Sequence, residues 1–284
     1  MTLLRMAAFS LALTGVIDIH VHSGPDSLPR TVDAIDVARL AKKEGMRGLV
    51  FKNHYESTAS VAYLVRKEVP GIQAFGGIDL NLTVGGINPA AVERMTMVTG
   101  GYGRFVWMPT FDSENAVRYA KENRPFVSIS RDGQLLPAVK QVIGIIAKHN
   151  LVLATGHSSS AECLMLLREA KRQGVRHMVV THAMMAPIHM SIDQMKEAAG
   201  LGAYIEFVYN GLIGSYKEFE FSDYAKAIRT VGPASCILAS DLGQVANPVH
   251  PEGLKAYFAG LRLQGITEAE IARMSQTNPA SLFQ

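Results

Sequence analysis

Short apolar runs alternate along the chain with longer amphipathic stretches. Eight of these runs read as strands, and four of them end in a histidine or an aspartate. The four are V-I-D-I-H-V-H (Val16 to His22), L-V-L-A-T-G-H (Leu151 to His157), H-M-V-V-T-H (His177 to His182) and C-I-L-A-S-D (Cys236 to Asp241). Runs of this length bounded by turn residues suit strands buried in a parallel sheet. The eight runs end near His22, His54, Asn81, Thr110, His157, His182, Tyr209 and Asp241. Successive ends lie about 30 residues apart, the length of one βα unit. Only the interval after Thr110 is longer, and it holds a further short run, F-V-S-I-S (Phe126 to Ser130). The pattern predicts an α/β fold, a TIM-like (β/α)8 barrel. No linker, low-complexity tract or repeat divides residues 1–284, so one barrel domain is expected.

The stretches between carry helix signals. V-D-A-I-D-V-A-R-L-A-K-K-E-G-M has apolar residues at helical spacing and a glycine stop at Gly45. S-A-E-C-L-M-L-L-R-E-A-K-R-Q-G is expected to start with Ser160 as N-cap and to end at Gly174. Thr267 with Glu270 three residues on predicts a capping box. The glycine pairs Gly76-Gly77, Gly85-Gly86 and Gly100-Gly101 read as turn devices. A doubly wound open sheet is the rival architecture. It would want a phosphate loop after the first strand, and G-P-D-S-L-P offers no G-x-G-x-x-G.

Composition narrows the function classes. A formal charge of +3 is too small and too evenly spread to argue for nucleic acid. No run approaches the ~18–20 apolar residues of a membrane span. Cys163 and Cys236 fall in an expected helix and strand and suit reduced, buried thiols, which points to a cytoplasmic setting. The leading M-T-L-L-R-M-A-A-F-S-L-A-L-T-G faintly resembles a secretory signal. Cleavage near Gly15 would leave the histidine strand as a raw N-terminus, so a short helix or strand closing the barrel floor is expected instead.

In a barrel, strand C-termini build the active site. Alternation places His20 and His22 on one face of the first strand, with Asp18 below them. His157 ends the fifth strand, His182 the sixth and Asp241 the eighth. One such residue at a strand end is usually a hydrogen-bonding partner. Buried together, imidazoles and a carboxylate make a site for a divalent ion such as Zn²⁺, which would activate a water and polarise an electrophile. Asp18 is expected to hold a ligand histidine's tautomer.

On these residues the chain resembles the amidohydrolase superfamily of metal-dependent hydrolases over nearly its full length. The resemblance implies metal ligation by His20, His22, His157 and Asp241. It also gives Asp241 the proton relay and His182 a ligand or substrate-orienting role. D-I-H-V-H-S-G-P-D, K-N-H-Y, G-G-I-N-P, W-M-P-T and S-D-L-G-Q further resemble a functionally uncharacterised bacterial subgroup. Binuclear members often carry a lysine or glutamate at the end of strand four, where this chain reads R-F-V-W-M-P-T. One ion is therefore expected, Zn²⁺ first, with Mn²⁺ or Fe²⁺ accepted by the same ligands. Lys52 on strand two either holds a substrate anion as an ammonium or bridges two metals as a carbamate; the first is expected.

The resulting expectation is a hydrolase of a small-molecule C–N, ester or lactone bond. Asp241, His182 and Lys52 are its catalytic groups, and His54, Arg30, Asn81 and Gln244 line the substrate. Asp112 and Asn210 also sit in loops after the strands, and Trp107 and Tyr55 are weighed between pocket wall and core. His149, His177 and His189 are read as structural or surface groups, with His189 near enough to the sixth strand to line the pocket. The alternatives are a metal-dependent non-oxidative decarboxylase on the same barrel and a non-catalytic metal-binding barrel. A small-molecule partner, anionic where Lys52 binds it, is expected; nucleic acid and membrane are not, and self-association is left open.

Overall fold

The computed structural model describes residues 13–284; the leading segment read above as a barrel closure lies mostly outside them. Ten strands run in chain order: β1 (Ile17–Val21), β2 (Gly48–Phe51), β3 (Gln73–Asp79), β4 (Gly103–Trp107), β5 (Ser130–Arg131), β6 (Gln134–Leu135), β7 (Val152–Ala154), β8 (His177–Val180), β9 (Tyr204–Val208) and β10 (Cys236–Ala239). Eight of them form one sheet in the order β1-β2-β3-β4-β7-β8-β9-β10. Every pairing within it is parallel. The short β5–β6 hairpin accounts for the long interval after Thr110. Helices separate the sheet strands: α1 (Ala34–Lys43), α2 (Ala59–Glu68), α3 (Pro89–Thr96), α4 (Glu114–Tyr119), α5 (Pro137–Lys148), α6 (Ser160–Arg172), α7 (Ile192–Gly200), α8 (Phe221–Val231) and α9 (His250–Leu263).

The sheet closes into the expected barrel. A parallel bridge joins Val21 to Leu242. His22 N–H donates to the Leu242 carbonyl at 3.0 Å, and Asp241 N–H donates to the His20 carbonyl at 3.0 Å. Inside the barrel Ile17, Ile19, Val50, Phe105, Trp107 and Ile237 form one apolar cluster, which assigns Trp107 to the core. A second cluster fills the space between sheet and helices.

Two local expectations need correction. Helix α6 is capped by Ser159, one residue earlier than expected, in a capping box with Glu162. Gly76 and Gly77 lie within β3 rather than in a turn. A Cβ at either would come within 2.3 Å of a backbone carbonyl, that of Thr58 or Phe105, so these positions admit only glycine because chains pack across them. Thr267 and Glu270 form the predicted capping box, and both cysteines are buried free thiols.

Candidate metal and active site

Strand β1 reaches the site through a register irregularity. Its pairing with β2 shifts between Asp18 and Val21. Ile17 and Ile19 pack in the barrel interior, yet His20 and His22 line the cavity above it. A one-residue slip exchanges the faces of a strand, and the bulge supplies that slip here. Asp18 is thereby separated from the imidazoles. Its Oδ1 accepts from the backbone N–H of His20 at 3.2 Å and of Ser240 at 3.0 Å. The expectation that Asp18 fixes a histidine tautomer is corrected: it ties β1 to β10, and burial pushes its carboxyl up to about 6.

The tautomer of His20 is fixed by a residue absent from the sequence reading. Glu206, buried in β9, brings both carboxylate oxygens to His20 Nδ1, at 3.2 and 3.3 Å, and accepts from the His182 backbone N–H at 2.8 Å. Its neighbours two positions away, Tyr204 and Val208, belong to the barrel interior. Strand period alone therefore puts a carboxylate inside, where burial demands a partner. That signal was available.

His20, His22 and Asp241 offer ligand atoms that all lie within 4.8 Å of one another, and all three residues are buried. His20 Nε2 and His22 Nε2 each stand 3.1 Å from the same oxygen, Asp241 Oδ1. His22 Nδ1 is 3.1 Å from the Lys52 carbonyl, an acceptor, so it carries the ring proton. Burial holds His22 well below its ordinary pKa. Burial opposes charge on Asp241 as well, but His20 outweighs it and keeps the carboxyl well below the usual range. A neutral imidazole lone pair thus faces an ionised carboxylate oxygen. Two acceptors so close call for a cation between them, and the N/O donor set suits a divalent ion. Burial also opposes charge on His20, yet the Asp241 and Glu206 carboxylates raise it to about 10.

His157 and His182 stand apart from that trio. Their Nε2 atoms face each other at 3.2 Å, and His182 Nδ1 has no hydrogen-bonding partner among the described residues. Burial holds His157 well below its ordinary pKa and lowers His182 too. His182 and Asp241 both adopt positive φ, of 23° and 52°, the sparsely populated backbone that aims strand-end side chains into functional sites.

Lys52 Nζ makes a 3.0 Å ion pair with Asp79, both fully buried, and lies 3.4 Å from His54 Nδ1. The cost of burying the ammonium is offset by a resident carboxylate, so the substrate anion expected for that purpose is not required. Burial raises Asp79 even against the pull of Lys52. Arg30 lines the cavity with its guanidinium on Asp26, Nε to Oδ2 at 2.7 Å. Gln244 and Asn210 also line it, and Asn210 donates to Asp241 Oδ2 at 3.3 Å. His54 lines it with its ring stacked on Phe111, 3.9 Å between centroids.

Asn81 does not reach the cavity. Its amide donates to the His54 carbonyl and Thr110 Oγ1, and its oxygen accepts from Thr110 and Asp112 N–H, so it braces three loops. Asp112 accepts from Arg124 and Leu82 and is likewise spent on loop structure. Tyr55 and His189 are not in the wall either; His189 pairs with Glu218 on the surface. The cavity itself measures about 590 Å³.

Barrel and site together define a closed parallel α/β barrel with a histidine–aspartate cluster at the strand C-termini. Residues 15–206 match the Family of unknown function (DUF6282), and the chain belongs to that family. The match takes in every site residue named above up to Glu206 and stops short of Asp241. No curated protein matches the chain. Solved structures share the fold. An amidohydrolase from Pseudomonas aeruginosa aligns at a TM-score of 0.62 and 10% identity, covering 96% of each chain. A 2,6-dihydroxybenzoate decarboxylase complexed with 2,6-dihydroxybenzoate aligns at 0.60 and 13%, covering 95% of this chain and 99% of the other. A triple mutant of organophosphorus hydrolase from Deinococcus radiodurans aligns at 0.60 and 16%, covering 96% and 94%. The expected resemblance to the amidohydrolase superfamily is thus borne out in the fold.

Proposed function

We propose that this protein is a metal-dependent hydrolase that cleaves a C–N, ester or lactone bond of a small molecule. The carrying observation is the convergence of the His20 and His22 Nε2 atoms on Asp241 Oδ1. These three residues would hold one divalent ion, Zn²⁺ first, with His157 as the proposed fourth ligand. Bound there, the ion would lower the pKa of a water and polarise the carbonyl under attack.

The chain's own groups complete the chemistry. Asp241, ionised at neutral pH, accepts the proton of the attacking water and returns it to the leaving group. His182 Nε2 and one N–H of Lys52 supply donors where the carbonyl oxygen gains charge. Glu206 keeps the Nδ1 proton of His20 in place, so its Nε2 stays turned to Asp241. Arg30, His54 and Gln244 border the bound substrate.

Elemental analysis of protein purified without chelator, together with turnover of p-nitrophenyl acetate, tests this reading. About one metal per chain and measurable hydrolysis are expected, both lost in folded His22→Ala and Asp241→Ala proteins. Wild-type metal content in both variants would sink the proposed site.

A further inference from the structure

We propose that the cavity takes an uncharged substrate: a carbonyl compound whose cleavable group reaches the His/Asp floor while an apolar body lies along the upper wall. This rests on the hydrolase reading for the floor; the wall is argued from separate residues.

The first observation is charge. Two cations reach the cavity, Lys52 and Arg30. Lys52 is matched by buried Asp79, and Arg30 by Asp26, whose Oδ2 accepts from Nε at 2.7 Å and lies 2.6 Å from Nη2. Each cation already faces a full counter-charge, so neither offers net positive charge to a substrate carboxylate or phosphate. Above the His20–Asp241 floor, the one further charged group in the wall among the described residues is Glu218, an anion. It accepts from Ala186 N–H and pairs with His189. A charged substrate body would meet neutralised pairs that supply no net counter-charge, so the cost of stripping its water would go uncompensated.

The second observation is the rim. Leu28, Tyr119, Tyr216 and Val245 are 37%, 56%, 47% and 64% exposed, and all four line this cavity. Among the described residues ten large hydrophobic side chains are exposed, so four of the ten ring a single opening. Scattered exposed apolar residues are ordinary, but a contiguous set around a concave site marks a ligand surface. Phe111 and Met185 extend the apolar wall inward toward the histidines. At about 590 Å³ the cavity has room for a body well beyond an acetyl group.

The test uses matched neutral and anionic probes on metal-loaded protein. Turnover is compared for p-nitrophenyl acetate, p-nitrophenyl heptanoate and mono-p-nitrophenyl adipate, the last carrying a carboxylate at the far end of its chain. Binding is measured by calorimetry with heptananilide and adipic acid monoanilide, and needs no turnover. A kcat/KM for the heptanoate at least about tenfold above both other esters is expected: over the acetate because several more methylenes are buried, over the adipate because no carboxylate must shed its water. Heptananilide should bind about tenfold tighter than the monoanilide, and Val245→Lys, which places a counter-charge on the rim, should narrow that gap.

Equal or better binding of the anionic anilide, no binding of either anilide, or an unchanged gap in Val245→Lys would each overturn the proposal. Tighter binding of heptananilide with no ester turned over would leave this inference standing while removing the hydrolase reading. The two can therefore fail separately.

Discussion

Glu206 grips His20 from below with both carboxylate oxygens on one ring nitrogen, at 3.2 and 3.3 Å. That leaves the opposite nitrogen facing Asp241. A carboxylate behind a ligand histidine typically tunes metal affinity by 10–100-fold. Glu206→Gln should therefore raise the dissociation constant for Zn²⁺ by at least about tenfold, read by competition with a chelating dye. Circular dichroism should show the fold retained. Unchanged affinity would reduce Glu206 to a brace for the His182 backbone.

Asp241→Asn should keep much of the metal and lose turnover. The amide oxygen still coordinates weakly, but it cannot accept a proton near neutral pH. General-base assistance contributes roughly 10²–10⁴ in rate, so a loss of that order in kcat is expected. Near-wild-type kcat in metal-loaded Asp241→Asn would take this residue out of the proton relay.

Lys52→Met tests the ion pair with Asp79. Removing one partner of a buried pair typically costs about 3–5 kcal/mol, because the other charge is stranded. The raised pKa of Asp79 lets it take a proton, which places the expected loss toward the lower end. Urea unfolding should show this loss, and Lys52→Met/Asp79→Asn should recover most of it. Metal content should stay near one per chain. Two metals in wild type, the second restored by bicarbonate after acid stripping, would instead make Lys52 a bridging carbamate.

Histidine 250 gives the fold an acid limit. His250 is fully buried at the start of α9, one ring nitrogen on the Leu242 carbonyl at 2.8 Å, and burial pushes it down to about 4. An unfolded histidine titrates near 6.5. Between those values the unfolded chain binds a proton that the folded chain refuses, so stability falls as pH drops from about 6.5 to about 4. The contribution is on the order of 3 kcal/mol. In chemical denaturation at pH 7.5 and 4.5, wild type should lose more stability than His250→Gln. Equal losses would show that His250 does not carry the effect.

Much of this molecule was legible beforehand for a simple reason. Strand ends in a barrel converge, so residues such as His20, His157 and Asp241 announce a common site even from a linear pattern. What escaped reading depended on three-dimensional partners. Asn81 has the composition of a binding residue and spends its amide on three loops. Asp18 seemed to share a face with His20 until the bulge in β1 intervened, and no residue type marks a bulge reliably. Glu206 hides inside an apolar run, although the strand period alone gives it an interior phase. Strand alternation alone turns Lys52 into the barrel, but its pairing with Asp79 is a matter of distance that no linear pattern carries.

The seam between the first and last sheet strands carries the site with it. The contacts that stitch the sheet shut, Asp241 N–H to the His20 carbonyl and His22 N–H to the Leu242 carbonyl, belong to the same residues that would grasp the ion. The imidazoles are made early in synthesis and the carboxylate some 220 residues later. A growing chain therefore carries half of the candidate site until its last sheet strand docks. The completed trio of His20, His22 and Asp241 then records that the circle has closed, and an ion bound there would act as a clasp across the join.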